Sequence, residues 1–406
     1  MKHPHPLRTL LALVAVLLLG LAGAAPAGAS SGIRWGEAPE PEGFVRAFSP
    51  RRWQFPADFG PHPEYRTEWW YYTGNLEGDD GRPFGYQLTF FRQALAPDGP
   101  AAPDGSATSQ APAAPAEPGA TATSAGSPWR TPQVFSAHFT VSDIAAGAFL
   151  EEERFARGAL GLAGAEADPY AVWLNDWRIS TEGPDRVRLQ AGTDAMAIDL
   201  SLTQSRPPVL QGQDGLSRKG PEPGNASHYY SLVQQPSEGT ITVAGRTYAV
   251  RGVSWKDHEF STSVLSPGTV GWDWFSAQFE DGSALMLYGL RREDGGKEPF
   301  SGGRWIAGDE TVELGADDYV LTVKRTWRSP HSGATYPAAW TLTIPRLDLE
   351  LAITPQMADQ ELTTASATYW EGALRYGGHR GERPLRGRGY GELTGYVDRL
   401  DGLRGG

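Results

Sequence analysis

The chain contains no cysteine. Disulfide staples, thiolate metal ligands, a thiol nucleophile and a lipid-modified cysteine are therefore excluded. Long apolar runs are almost lacking too. The one present, from Leu10 to about Ala22, follows Lys2 and Arg8 and is too short to cross a bilayer. Behind it, "AGAAPAGAS" offers an A-x-A cleavage site ending at Ala29, so residues 1–29 read as a secretory signal peptide. The protein is expected in the periplasm or outside the cell, with no membrane span in the mature chain. Basic runs are also missing. Loss of Lys2 and Arg8 takes the net charge from −12 to −14, which argues against nucleic acid as a partner.

The usual catalytic signatures are absent as well. There is no H-E-x-x-H pair, no G-x-S-x-G elbow and no phosphate-cradling glycine loop. Ser254, Ser261 and Ser263 lie near His258, but in a strand-like stretch with no oxyanion helix. Neither a metal nor another cofactor is expected. Asp257, His258 and Glu259 are ligand types, yet consecutive strand residues cannot face one ion without partners such as His138, His228 or Glu68.

What is abundant points to a turn-rich, aromatic-rich β protein: 50 Gly, 32 Pro and 14 Trp, with no long amphipathic helical period. Roughly 375 mature residues exceed what a single core usually serves. Two domains are expected, over 33–233 and 234–400, with the break in a Pro-, Gly-, Gln- and Ser-rich stretch that contains "SHYYSLVQQ". Residues 94–128 carry no Trp, Tyr, Phe, Ile or Val and read as a disordered insertion. The strands on either side, "FGYQLTFFRQ" and "VFSAHFTVSD", are expected to be neighbours, because loop entropy grows slowly with length. "VAGR" is a hairpin turn between two alternating runs.

An internal echo supports two similar barrel-like units. Residues 69–92 and 272–291 both run from a Trp-rich strand through an acidic-Gly turn to an aromatic strand ending in arginine. Gly81 would match Gly282, and Arg92 would match Arg291.

Two stretches concentrate the chemistry. In "YRTEWWYYTGNL", alternation places Glu68, Trp70 and Tyr72 on one face. Glu68 is either a paired structural ion, with Arg92 as the natural partner, or part of a site. In "SWKDHEFS", Trp255, Asp257 and Glu259 share one face, and Lys256, His258 and Phe260 the other. Carboxylates close to His258 would raise its pKa and suit it to general-acid work. The plainer reading is a strand end whose charges are solvated or paired. Trp70, Tyr72, Trp255, Trp272 and Trp274 are either barrel core or the wall of a pocket for an apolar ligand, where aromatic faces could also shelter a carbocation.

The strings "HPEYRTEWWYYTGNL", "GVSWKDHEFSTSVLSPGTVGWDWFSAQFEDGSALMLYGLR", "YWEGA" and "GRGYGELTGY" resemble the secreted lipocalin-like family that contains AttH and the carotenoid 1,2-hydratases (CrtC), over about residues 40–397. The resemblance implies an all-β fold of two consecutive lipocalin-like antiparallel β-barrels. For the hydratase branch it implies water addition to an isoprenoid double bond through His-x-Trp and Tyr-x-Asp elements. Here these read His258-Glu259-Phe260 and Tyr288-Gly289-Leu290. The His and Tyr match, while Phe260 and Leu290 depart from the pattern. Protonation would then fall to Asp257, Glu259 or Glu68.

Two functions follow. One is an exported enzyme for an isoprenoid- or lipid-like substrate, with His258, Asp257, Glu259, Tyr288 and Glu68 as its catalytic set. The other is a non-catalytic carrier or accessory of an envelope transport system. The family's "secreted hydrolase" label is a further alternative. If Glu68 and the Asp257–Glu259 group share a site, they should lie within about 10 Å of each other.

Overall fold

The computed structural model describes residues 43–97, 131–263 and 265–397. The expected signal peptide and most of the 94–128 insertion lie outside them. Alternating β-branched and aromatic runs form long antiparallel strands. Helix among the described residues is limited to short 3-10 turns such as Ala57–Phe59.

The first sheet contains β1 (Thr67–Gly78), β2 (Pro83–Ala94), β3 (Gln133–Asp143), β4 (Ala148–Arg157), β5 (Ala163–Ala167), β6 (Tyr170–Leu174) and β7 (Trp177–Gly183). It continues with β8 (Arg186–Gly192), β9 (Met196–Thr203), β10 (Val209–Leu210), β11 (Leu216–Arg218), β12 (Ala226–Val243) and β13 (Arg246–Ser261). Its order is β4-β3-β2-β1-β13-β12-β9-β8-β7-β6-β5, with β10 and β11 on β12. The sheet curls into a near-barrel. Arg154 of β4 closes the seam, with its guanidinium 4.2 Å from the Trp177 ring centre and 3.0 Å from the Gly192 carbonyl.

The second near-barrel contains β14 (Thr269–Phe279), β15 (Ala284–Arg292), β16 (Gly302–Ala307), β17 (Glu310–Gly315) and β18 (Val320–Arg328). The rest are β19 (Thr335–Ile344), β20 (Leu349–Pro355), β21 (Glu361–Thr363), β22 (Thr368–Arg380) and β23 (Arg383–Leu393). Its order is β17-β16-β15-β14-β23-β22-β20-β19-β18, with β21 on β22.

The expected boundary at 233/234 falls inside β12. By sheet membership the chain changes barrels between Ser261 and Thr269, because β12 and β13 pair with each other and with β9 and β1. Gly and Pro marked the approach to β12, but the hydrogen-bonded ladder decides where its residues belong. β2 and β3 are neighbours as expected, pairing from Phe84↔Asp143 to Ala94↔Gln133. "VAGR" turns with Ala244 and Gly245 both at positive φ, the geometry of a twisted two-residue hairpin.

The echo is realised in three dimensions. The β1–β2 and β14–β15 turns hold Gly81 and Gly282 at φ 79° and 83°. Arg92 bonds Glu68 at 2.9 Å in the first hairpin, and Arg291 bonds Asp273 at 3.0 Å in the second.

Each barrel has its own core, and a third apolar cluster lies between them. Tyr71, Tyr229 and Trp255 of the first sheet meet Trp274, Met286, Ala373 and Tyr390 of the second. Polar bonds cross the same seam: Asn75 Nδ2 to Gly389 O at 2.9 Å, and Gln278 Nε2 to Val233 O and Ser254 O, each at 2.9 Å.

Trp177 is fully buried in the first core, edge-on to Phe139, and donates its N–H to Gly192 O at 2.9 Å. Trp177→Ala should lower unfolding free energy by about 3–5 kcal/mol in urea titration, whereas a change at exposed Lys324 to Ala should stay within about 0.5 kcal/mol.

Candidate functional site

β13 lies between β1 and β12, and its pleat divides its side chains into two groups. Lys256, His258 and Phe260 point into the first barrel. Trp255, Asp257 and Glu259 point toward the second. Register places His258 opposite Trp70 and Tyr230, and Lys256 opposite Tyr72 and Leu232.

Inside the first barrel the organising group is the Glu68 carboxylate. Its Oε1 lies 2.9 Å from His258 Nε2 and 2.8 Å from His62 Nδ1. Its Oε2 accepts from Arg92 Nε and from the His62 backbone N–H, each at 2.9 Å. Burial opposes charge here, but the His258 and His62 hydrogen bonds and the Arg92 guanidinium hold Glu68 well below the usual carboxylate range. Glu68 thus makes the anticipated ion pair with Arg92 and also contacts His258.

The two imidazoles differ. Burial works against charge on His62, yet bonds to Asp58 and Glu68 raise its pKa, so it carries the proton. Burial drives His258 down to about 3, and it is neutral. The expectation of a raised His258 pKa is corrected, because Asp257 and Glu259 face away from its ring. Since ionised Glu68 only accepts, neutral His258 donates from Nε2 and accepts at Nδ1. The Tyr230 hydroxyl, 2.9 Å from Nδ1, is its donor. Tyr230 oxygen in turn accepts from Lys256 Nζ at 3.0 Å. A directed chain results: Lys256 to Tyr230 to His258 to Glu68.

Lys256 lies on the wall of a cavity of about 250 Å³, lined by Phe59, Tyr72, Tyr170, Leu202 and Leu232 and also by the polar Asp168, Asp185, Arg186 and Gln204. Burial lowers its ammonium to about 7. The rings of Tyr170, Phe59, Tyr230 and Tyr72 lie 4.8, 4.9, 5.3 and 5.6 Å from Nζ, so an aromatic cage accepts whatever charge it keeps. The segment before β1 packs against this end of the barrel, with Phe55 5.0 Å from Tyr230 and His62 stacked 3.6 Å from Phe260.

His62, Glu68 and His258 are a donor set of the kind that holds metal, with their ligand atoms within 4.8 Å. The Arg92 guanidinium already occupies the same carboxylate, and each imidazole is bonded on both nitrogens. The arrangement fits a hydrogen-bonded ion network better than a cation site.

On the other face of β13, Asp257 accepts from Tyr229 Oη and Ser231 Oγ, both at 2.5 Å, and from Trp255 Nε1 at 2.7 Å. Burial still pushes it up to about 7. Glu259 bonds Ser227 and Lys219. Across the seam, Glu371 and Glu392 sit directly opposite each other on β22 and β23. Tyr71 donates to Glu371 at 2.6 Å, and Trp272 Nε1 to Glu392 at 2.5 Å. Burial raises Glu392 to about 7 and Glu371 well above its ordinary value.

Among the residues singled out in the sequence, Tyr72 lines the first-barrel cavity, while Trp70 stacks on His258 at 5.0 Å and bonds Phe59 O. Trp255, Trp272 and Trp274 belong to the seam. Tyr288 lines a second cavity of about 250 Å³ with Met286 and Phe300, and its hydroxyl donates to Phe300 O at 2.9 Å. Leu290 is buried. Glu68 and His258 are thus brought into contact, while Asp257 and Glu259 lie on the seam side of β13 and Tyr288 on β15 of the second barrel. Lys256, Tyr230, His62, Glu371 and Glu392 were not singled out. Alternation already grouped Lys256 with His258, and that was the available signal.

Two antiparallel near-barrels in tandem, one holding a polar chain beside an apolar cavity, define a lipocalin-like architecture. The chain belongs to the AttH-like family, whose pattern matches residues 46–396. The AttH crystal structure from Nitrosomonas europaea is 35% identical, covering 87% of this chain and 100% of that one with a TM-score of 0.72. Kievitone hydratase from Nectria haematococca is 15% identical, covering 91% and 99% with a TM-score of 0.62, and shares the fold. No curated protein sequence matches the chain. No helix among the described residues is long and apolar enough to cross a membrane.

The seam acids set a pH dependence. Below about pH 4.5 folded and unfolded chains both protonate Glu392, whose ordinary value is 4.5. Between there and about 7 only the folded chain keeps the proton, so this group's contribution to stability falls as pH rises. Glu392→Gln removes the effect. Its Tm relative to wild type should climb between about pH 5 and pH 8, and a constant difference would contradict the raising of Glu392 by burial.

Proposed function

We propose that the protein binds a small, largely apolar molecule in the first barrel and adds water to one of its double bonds, with the proton moved along Lys256, Tyr230, His258 and Glu68. The observation that carries this reading is the directed chain running from a cavity-lining amine to a buried carboxylate. Such a chain can deliver a proton at the cavity wall and take one back, and a Lys256 poised near 7 is suited to both. The kievitone hydratase that shares the fold is named for the same reaction class.

The cavity narrows the ligand. At about 250 Å³ it lies just below the usual range of small-molecule pockets. It suits a molecule of roughly a dozen heavy atoms and could not enclose an acyclic carotenoid. Export, read from residues 1–29, is part of the proposal on sequence grounds, and service to an envelope transport system belongs to the carrier alternative.

Binding and chemistry separate experimentally. Native mass spectrometry of the purified protein should show a retained apolar molecule, lost in Leu232→Trp, which fills the cavity. A small prenylated phenol incubated in isotopically labelled water should gain one water with the wild type and at least about a hundredfold more slowly with Lys256→Met. Retention without turnover would favour a carrier.

A second reading has its own observation: Asp257 is held near 7 between Tyr229 and Trp255, as an acid able to protonate an alkene would be. On that reading Asp257→Asn abolishes hydration and Lys256→Met leaves it intact.

A further inference from the structure

Lys256 is buried and, among the described residues, no carboxylate bonds its ammonium. Every other buried cation of the first barrel's ion network has one: Arg92 has Glu68, and His62 has both Glu68 and Asp58. A buried ammonium left with one neutral hydrogen-bond partner is a poor structural ion. Its placement on a cavity wall, beside a hydroxyl that starts a proton chain, makes it a good nucleophile.

We propose that Lys256 forms a reversible imine with the carbonyl group of a small apolar aldehyde or ketone held in the first-barrel cavity. This rests on the reading that the cavity takes a small apolar molecule, and it names the functional group that molecule carries.

The geometry supplies each proton the reaction needs. Lys256 Nζ passes a proton to the Tyr230 oxygen as Tyr230 passes its own to His258 Nδ1, and His258 hands its Nε2 proton to Glu68. A neutral amine results, with the proton held only transiently at Glu68, whose cationic neighbours favour its return. The Nζ lone pair then attacks the carbonyl carbon: the C–N bond forms as the C=O π pair moves onto oxygen. The alkoxide takes one proton from the now cationic Nζ, and the proton returning along the chain passes from the Tyr230 hydroxyl to the carbinolamine oxygen. That oxygen leaves as water as the Nζ lone pair forms the C=N bond, and a protonated imine remains. No electron is gained or lost overall. The cation that forms occupies the cage of Phe59, Tyr72, Tyr170 and Tyr230, whose ring faces favour it. The apolar wall of Leu202 and Leu232 accommodates the body of the carbonyl compound. Lowering of the ammonium by burial acts in the same direction, since it leaves much of the amine neutral near pH 7.

The chain carries its own internal controls, because Lys297 and Lys324 are exposed. The full-length protein is incubated with naphthaldehyde at neutral pH, reduced with cyanoborohydride and mapped by peptide mass spectrometry. The expected result is an adduct on Lys256 at least about tenfold above Lys297 and Lys324. Lys256→Arg should show none there, and Tyr230→Phe should label about tenfold more slowly. Tyr230→Phe should still bind naphthalenemethanol, read by quenching of tryptophan emission, which separates proton delivery from cavity shape. Equal labelling of all lysines, with naphthalenemethanol still bound and displaced in Leu232→Trp, overturns the imine and leaves the cavity reading standing. Failure of the wild type to bind naphthalenemethanol overturns both.

Discussion

A buried carboxylate needs counter-charges, and the first barrel is arranged around those that Glu68 recruits. A lone carboxylate at this depth would take up a proton. Here β2 supplies the Arg92 guanidinium, β13 supplies His258, and the segment before β1 supplies both the ring and the backbone N–H of His62. Three pieces of chain distant in sequence are thereby tied to one atom group. Holding Glu68 ionised dictates which nitrogen of His258 carries hydrogen. That orients Tyr230, and Tyr230 in turn receives Lys256. The direction of the polar chain follows from the charge at its far end.

The same strand serves a second environment on its other face. One residue away from His258, Asp257 and Glu259 turn toward the seam, where Glu371 and Glu392 face each other and accept from Tyr71 and Trp272. Glu68 is held ionised on one side of β13, and Asp257 is pushed toward neutrality on the other. The difference lies in cations: Arg92 and His62 stand beside Glu68, whereas Tyr and Trp donors surround Asp257 and the Glu371–Glu392 pair. Neutral donors satisfy a carboxyl group without stabilising its charge as a guanidinium does. Adjacent residues of the stretch "KDHE" therefore do unlike chemistry.

Much of this was legible in the sequence. Period-2 alternation assigned Glu68, Trp70 and Tyr72 to one face, and separated Asp257 and Glu259 from His258, because the pleat leaves a strand no other choice. The match of Arg92 with Arg291 foreshadowed two arginine–carboxylate hairpins. The pairing of β2 with β3 was readable across the insertion. The place where the chain changes barrels was not, since Pro- and Gly-rich composition marks irregular backbone and carries no information on which ladder a later strand joins. Nor was His62, which reaches Glu68 from a stretch without strand periodicity, on a path set by packing of Phe55 and Phe59 against Tyr230.

The clearest limit is a single β-bulge. Counting back from the "VAGR" turn would set His258 opposite Ser231 and Lys256 opposite Val233. Between Leu232 and Gln235 the register of β12 slips by one residue, and His258 faces Tyr230 instead. That slip exchanges the faces of every β12 residue beyond it. Without it the Lys256–Tyr230–His258 contacts would not exist. By itself, then, the sequence determined the β class, the two-barrel plan and the composition of each strand face, because those depend on local periodicity. The tertiary structure alone decided which faces meet, since bulges, register and long-range ion pairing depend on contacts between residues that the chain order keeps far apart.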